Sequence, residues 1–272
     1  MSTLLKQIKV VQLETTELRN QHFEGTDFSK NANPHLRAID CEFSRCNFNK
    51  ANLSDFRSWG SRFVDCTFRK TNLKNAAIGG VNEGKLNFFE RVDFSEADLR
   101  GIACGLGNFV DCVFNNTRLD KVDFQGSRFI RCTFSGILNE TMFYAHAFRG
   151  EAFPPNQMED VDFSGAKLHL VAFRKLDLDR VEFPKDKNHI VFDNYVEFLE
   201  KAVAELSGVS QVGLRQLHAV LVNYLKWIGP KQVRGVINRL DWKAYTGTLE
   251  KFDELVAKFG RVSNARFLPK QF

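Results

Sequence analysis

Nowhere does the 272-residue chain run to about 18 consecutive apolar residues, the length a membrane-spanning helix needs, so no such helix is expected. The segment from Met1 to Asn20 mixes polar and apolar side chains without the apolar block of a secretory signal, and a cytoplasmic protein is the expectation. Tryptophan and tyrosine are scarce, at 3 and 4. The six cysteines (Cys41, Cys46, Cys66, Cys104, Cys112 and Cys132) contain no C-x-x-C pair and stand at no zinc-finger spacing to histidine. They are expected to be small buried core residues, neither disulfides nor metal ligands.

Signatures of catalysis are also missing. There is no G-x-G-x-x-G, P-loop, G-x-S-x-G or H-E-x-x-H. His22, His35, His146, His169, His189 and His218 are scattered, and none stands with a plausible cysteine nucleophile. Glu159 and Asp160 are adjacent carboxylates whose side chains should diverge along a turn, which does not suit paired acid/base work. No enzyme activity, cofactor, metal or small-molecule substrate is expected. Charge adds little: residues 1–190 carry 26 Lys/Arg and 25 Asp/Glu, and residues 191–272 carry 12 and 8. Neither part has the basic excess of a dedicated nucleic-acid binder.

Phenylalanine, by contrast, is in excess, with 27 residues. Its placement is periodic. Ser61-Arg62-Phe63-Val64-Asp65-Cys66-Thr67-Phe68 and Ser127-Arg128-Phe129-Ile130-Arg131-Cys132-Thr133-Phe134 agree at six of eight positions. Apolar residues recur every five positions, as in Phe43, Phe48, Leu53 and in Phe109, Phe114, Leu119, Phe124, Phe129, Phe134. Five fits neither the 3.6-residue period of a helix nor the period of two of a strand. A period of five nested in one of twenty means four units per turn of a superhelix. The frame breaks between Ile78 and Phe89, where about six residues loop out within Gly79–Asn87, and slips by one residue between Phe134 and Leu138.

With those two adjustments the unit centres fall into four columns. The first is Phe28, Phe48, Phe68, Phe94, Phe114, Phe134, Phe153 and Phe173. The second is Phe23, Phe43, Phe63, Phe89, Phe109, Phe129, Phe148 and Leu168. The third is Leu13, Asn33, Leu53, Leu73, Leu99, Leu119, Leu138, Met158 and Leu178. The fourth is Leu18, Ala38, Ser58, Ile78, Cys104, Phe124, Phe143, Phe163 and Phe183. Like residues stacked at the strand spacing predict a coil about 40 Å long, with Phe48, Phe68, Phe94, Phe114 and Phe134 in its core. The residue two before each centre, such as Cys46, Cys66, Val92, Cys112 and Cys132, should also point inward.

Ala51-Asn52-Leu53, Ala97-Asp98-Leu99, Val122-Asp123-Phe124 and Val161-Asp162-Phe163 match the pattern A(D/N)LXX. In these residues the chain resembles the pentapeptide-repeat family over roughly residues 13–183, with departures at Asn33, Ala38 and Ser58. The resemblance implies a mainly β protein, a right-handed quadrilateral β-helix of about eight coils. It divides the chain into an N-terminal cap over residues 1–12, the coil over 13–188 and an α-helical C-terminal cap or domain over 189–272.

Beyond Pro184 the apolar spacing turns helical. Phe192, Tyr195, Val196, Leu199, Val203 and Leu206 predict a first helix, placed over the Phe173–Phe183 end of the coil. Leu214, Leu217, Leu221, Tyr224, Leu225 and Ile228 predict a second. Gly229-Pro230 opens a predicted third, holding Val233, Val236, Ile237 and Leu240. Leu249, Phe252, Leu255, Val256 and Phe259 predict a fourth, closed by Gly260. Phe192, Tyr195 and Leu199 are candidates for a cap or for a homodimer contact.

A coil filled with phenylalanine leaves its outer faces, its loop and its ends for function. The expected function is a non-enzymatic binding scaffold for a protein partner, with Val81, Asn82, Glu83 and Lys85 of the loop as candidate contact residues. The family resemblance offers an alternative partner, a type II topoisomerase such as DNA gyrase, because some members bind it and protect it from poisons by imitating DNA. Asp193-Asn194-Tyr195 resembles the start of the C-terminal dimer helix of the quinolone-resistance members. Such mimicry needs an acidic face, whereas this coil is neutral overall. A third reading uses Lys231, Arg234, Arg239 and Lys243 as a basic helix face for nucleic acid.

Overall fold

A computed structural model of the chain describes residues 16–147, 153–229, 232–242 and 247–263. Strands, most of them two or three residues long, stack in parallel, each paired with the strand one turn before and one turn after. Phe23, Phe43, Phe63, Phe89, Phe109 and Phe129 lie in one unbroken register. Leu18, Ala38 and Ser58 align on a second face. Phe114 pairs with Phe134 on a third, and backbone bridges through Asn52, Asn72, Asp98 and Arg118 mark the fourth.

The interior is a ladder of rings. Phe43 and Phe63 stack with centroids 4.8 Å apart, Phe48 and Phe68 at 4.5 Å, and Phe114 and Phe134 at 4.6 Å. Rings on adjacent faces meet edge to face, as Phe109 does with Phe114 at 5.6 Å. Offset stacking along one wall and edge contacts between walls are the arrangements the aromatic quadrupole favours. The corners are filled by the residue two before each centre. Cys66 Sγ donates to Phe43 O at 3.3 Å and Cys132 Sγ to Phe109 O at 3.4 Å, while Thr71 and Thr117 hydroxyls donate to Phe48 O and Phe94 O at 2.7 and 2.8 Å. All six cysteines are buried and free, and burial pushes the Cys104 thiol up to about 12.

The one-residue slip after Phe134 lies where the spacing places it, but the columns change beyond Phe143. Phe134 stacks on Phe163 at 4.7 Å, not on Phe153, and Phe163 stacks on Phe183. Phe143 pairs with Phe173, not Phe163, and Leu138 pairs with Leu168, not Met158. Ile130 bridges to Glu159, which brings Met158 above Phe129, where Phe148 was expected. Phe143 and its partner Phe173 are thus about ten residues further apart than one turn of twenty, and the excess falls between Tyr144 and Asn156. Pro154 and Pro155 explain part of this, since two prolines cannot donate to a strand ladder. Asn156 closes the mouth of this second insertion, its Oδ1 accepting the N–H groups of Phe129 and Met158 at 3.2 and 3.1 Å. Phe148, Leu13 and the proposed cap over residues 1–12 lie outside the described residues.

Among the described residues the C-terminal part has three α-helices: α1 (Tyr195–Glu205), α2 (Val212–Lys226) and α3 (Thr248–Phe259). The helix expected around Val233 to Leu240 is instead a strand, Gly235–Asn238, followed by a short 3₁₀ turn, Arg239–Trp242. Val236 and Ile237 are β-branched, and the strand pairs antiparallel with His189–Phe192. This two-stranded ribbon lies between the coil core and the helical core. Val191 and Val236 pack into the coil core, whereas Ile190, Phe192 and Ile237 pack into a second core with the helices. The alternation is the period of two that a strand imposes. The ribbon and the loop before it close the coil end, and α1 packs on the far side of that ribbon. Among the described residues no helix is long and apolar enough to cross a membrane.

Candidate functional site

The six-residue insertion after Ile78 is a β-hairpin. Ala77–Asn82 and Lys85–Leu86 pair antiparallel, with Val81 opposite Leu86 and Asn82 opposite Lys85. Glu83 and Gly84 form the turn, with φ of 47° and 77°, the doubly left-handed pattern of a type I′ hairpin. Asn87 seals its base. Its Oδ1 accepts from Ser61 N–H at 2.9 Å and from the Ser58 hydroxyl at 3.2 Å, and its Nδ2 donates to Ser58 O at 2.6 Å and Ile78 O at 2.9 Å.

The hairpin is held against the coil. Asn82 Nδ2 donates to Asp40 Oδ2 at 2.6 Å, and Lys85 Nζ lies 3.6 Å from Asp40 Oδ1. Gly80 lies against the Trp59 ring so closely that a Cβ there would overlap it. The strands beneath shift register between Arg57 and Trp59 to admit the extra residues. The result is a groove of about 400 Å³ lined by Glu17, Arg19, Arg37, Ile39, Trp59, Val81 and Asn82.

Of the four loop residues singled out from sequence, Val81 and Asn82 line this groove, Lys85 ties the hairpin down, and Glu83 is exposed at the tip. Spacing could not reveal Arg37, Ile39 and Trp59, which come from two earlier coils. The available signal was a tryptophan directly after the centre Ser58, an outward-facing position, followed by Gly60. Phe192, Tyr195 and Leu199 are buried in the second core of this chain. A Cβ at Gly235 would overlap the Tyr195 ring, so strand and helix are matched within one molecule.

Among the described residues the arginines of the expected basic helix face are engaged within the chain. Arg234 turns inward, donating to the carbonyls of Leu178 and Asp179 at 3.0 Å, and Arg239 donates to Asp253 at 3.1 Å. Lys231 and Lys243 lie outside the described residues. Many acidic residues on the coil are met by arginines. Along one edge Arg45, Asp65, Arg91, Asp111, Arg131, Asp160 and Arg180 alternate in sign. Arg91 bonds Asp65 at 2.6 Å, Arg131 bonds Asp111 at 2.7 Å and Arg180 bonds Asp160 at 2.9 Å. These bonds hold the Asp65 and Asp111 carboxyls below the usual range. Glu159, beside Asp160, also bonds Arg180, at 3.0 Å.

At the coil end, polar side chains satisfy the last open backbone groups. His189 Nε2 accepts from Leu168 N–H at 3.0 Å while Asn238 donates to Leu168 O at 2.6 Å. Burial lowers the His189 pKa against the pull of Asp186, which keeps the acceptor nitrogen unprotonated. Asp241 Oδ2 accepts from Leu170 N–H at 3.1 Å, and burial pushes its carboxyl up to about 6. Among the described residues there is no group of three or more metal-ligating side chains.

The sequence model for pentapeptide repeats matches in 8 copies, over residues 41–80 and 107–136. Over these residues the coil carries the repeat of the pentapeptide-repeat family. No curated protein matches the sequence. Among solved structures, a trypsin-treated variant of QnrB1, a plasmid-mediated fluoroquinolone resistance protein, is similar at 16% identity and a TM-score of 0.41, over 65% of this chain and 84% of its own. Full-length QnrB1 gives 13% and 0.28, over 62% and 86%. HetL, a pentapeptide-repeat protein involved in heterocyst differentiation regulation in a Nostoc cyanobacterium, gives 12% and 0.17, over 65% and 83%. At these scores the likeness carries no argument about function.

Proposed function

We propose that this is a non-enzymatic binding scaffold that holds a protein partner against the outer face of its coil, at the hairpin between Ile78 and Phe89. The observation that carries this reading is the groove itself. The coil interior is filled by stacked rings, so binding must be external, and the hairpin builds a concave surface containing an accessible tryptophan on an otherwise regular wall. A topoisomerase is one candidate partner, but the arginine-paired carboxylates give no support to DNA mimicry as the means.

The test is quantitative affinity capture from nuclease-treated lysate of the source cell. Wild-type protein is compared with a variant lacking residues 81–86, a deletion that restores the five-residue spacing from Ile78 to Phe89. A Val81→Arg variant covers the case in which the deletion disturbs the coil. Partners captured by wild type and lost from both variants support the reading. Identical capture by all three overturns it, and enrichment of gyrase subunits would identify the partner as a topoisomerase.

A further inference from the structure

We propose that the groove under the hairpin takes an acidic peptide segment of the partner, seating a carboxylate on Arg37 and a neighbouring apolar side chain against Trp59. This inference rests on the scaffold reading and names the chemistry its site would accept. The first argument is charge. Many arginines on the coil are paired, Arg62 with Glu90 at 2.6 Å, Arg69 with Asp93 at 2.8 Å, Arg91 with Asp65 and Arg131 with Asp111, whereas Arg128 is part-buried and Arg174 lies against the Tyr144 and Trp227 rings. Arg37, exposed at the groove, has no ion pair among the described residues. Arg57 lies beside it in strand register and reaches only Asp55, at 3.7 Å. Two neighbouring guanidinium groups, one unpaired and one loosely held, form a site for an incoming carboxylate, which a guanidinium binds through two parallel N–H bonds.

Glu17 stands opposite Arg37 in strand register and Asp40 lies beside the hairpin, and each is engaged by other groups. Both Asp40 oxygens face the hairpin, one toward Asn82 and the other toward Lys85. Glu17 accepts from Arg19 Nε at 2.6 Å. The second argument is the apolar surface. Ile39, Trp59 and Val81 are half-buried and face the same groove, brought together from two coils and the hairpin. A tryptophan beside arginines, sheltered on one side by a fixed wall, is the composition in which binding energy concentrates at protein interfaces. The hairpin is fixed by Asp40 and Asn87, so the wall is preformed.

The experiment follows the Trp59 indole N–H by nuclear magnetic resonance on the full chain, its signal assigned by its loss in Trp59→Phe. Three synthetic peptides are titrated: alternating Glu and Leu, alternating Lys and Leu, and alternating Glu and Ser. The Glu/Leu peptide is expected to move the Trp59 signal, the Lys/Leu peptide to leave it, and the Glu/Ser peptide to bind more weakly. Arg37→Glu, with its melting temperature unchanged, should weaken Glu/Leu binding by about tenfold or more. Equal binding of the basic peptide, undiminished binding by Arg37→Glu, or no movement of Trp59 would overturn the proposal. Hairpin-dependent capture of a partner without peptide binding would sink this inference and leave the scaffold reading intact. Peptide binding without hairpin-dependent capture would do the reverse.

Discussion

The coil and its C-terminal closure solve the same problem, satisfying backbone and burying apolar surface, in opposite ways. Within the coil one device is repeated. Ring stacks on ring a turn below, and corner thiols and hydroxyls such as those of Cys66 and Thr117 donate to a carbonyl in the preceding turn. At the closure no device is used twice. The open groups of Phe173, Leu176, Leu168 and Leu170 are met by Gln232, His189, Asn238 and Asp241, and Lys175 N–H donates to Trp227 O at 3.0 Å. A solenoid turn needs only a neighbour like itself, whereas its last turn must meet something unlike itself or remain an open sheet edge. Repetition supplies stability in the coil. Individual polar contacts supply termination at its end.

Breaking the repeated device should cost most. Phe109 is fully buried, stacked between Phe89 at 5.0 Å and Phe129 at 5.1 Å. Phe109→Ala should destabilise the protein by about 3–5 kcal/mol in urea unfolding, because both neighbouring rings lose their partner and close packing limits collapse. A loss under about 1 kcal/mol would mean that the stack relaxes into the gap and that the rings are not the source of rigidity.

Next comes a pH effect confined to the closure. Asp241 is buried, and burial raises its carboxyl to about 6. Between the ordinary aspartate range and that value the folded state binds more protons than the unfolded state, so stability falls as pH rises through this window. The loss is on the order of 3 kcal/mol. His189 acts in the opposite sense. Burial lowers its pKa, so acidification below about pH 6.5 protonates the unfolded state first and removes stability. Asp241→Asn keeps an acceptor for Leu170 N–H and removes the first effect alone. Subtracting its stability from that of wild type at each pH should give a curve that falls between about pH 4 and 6. A flat difference would show that the Asp241 site admits water.

What the sequence revealed follows the same division. A period of five read through Phe43, Phe63, Phe89 and Phe109 placed the ring walls, because one rule generates every turn. It failed where the rule stopped. Phe148 and Phe153 fit the spacing, and the prolines at 154 and 155, which forbid a ladder there, carried more weight than the pattern did. Val233, Val236, Ile237 and Leu240 fit a helical spacing, yet a strand formed because His189–Phe192 offered an edge to pair with, a contact across more than forty residues. Helices α1, α2 and α3, whose apolar faces are local, were legible. Of the candidate groove, the hairpin half was visible as an interruption of the frame. The Arg37 and Trp59 half was not, since the two residues are neighbours only through the coil.

A smaller loss is expected from Gln232→Ala. The Gln232 amide accepts from Leu176 N–H at 3.3 Å and donates to Phe173 O at 3.2 Å, so truncation strands two backbone groups at a buried site. About 1–3 kcal/mol should be lost in urea unfolding. The same result would be absent if a water replaced the amide, in which case a Gln232→Leu variant, too bulky to admit one, should restore the loss.

The smallest effect belongs to the most conspicuous surface pattern, the alternating arginine and aspartate edge. Arg131 bonds Asp111 through Nε at 2.7 Å and through a second nitrogen at 2.8 Å, and both side chains are open to solvent. Water screens such a pair, and ordering two side chains offsets what attraction remains. A double-mutant cycle of Asp111→Asn and Arg131→Gln should therefore give a coupling that is small at low salt and lost in 0.5 M salt, far below the Phe109→Ala cost. A large coupling that survives salt would mean that the ladder acts as one network along the coil, each ion held between two opposite charges. The edge would then be a second stabilising spine outside the ring core, and the division of labour between coil and closure would have to include charge as well as packing.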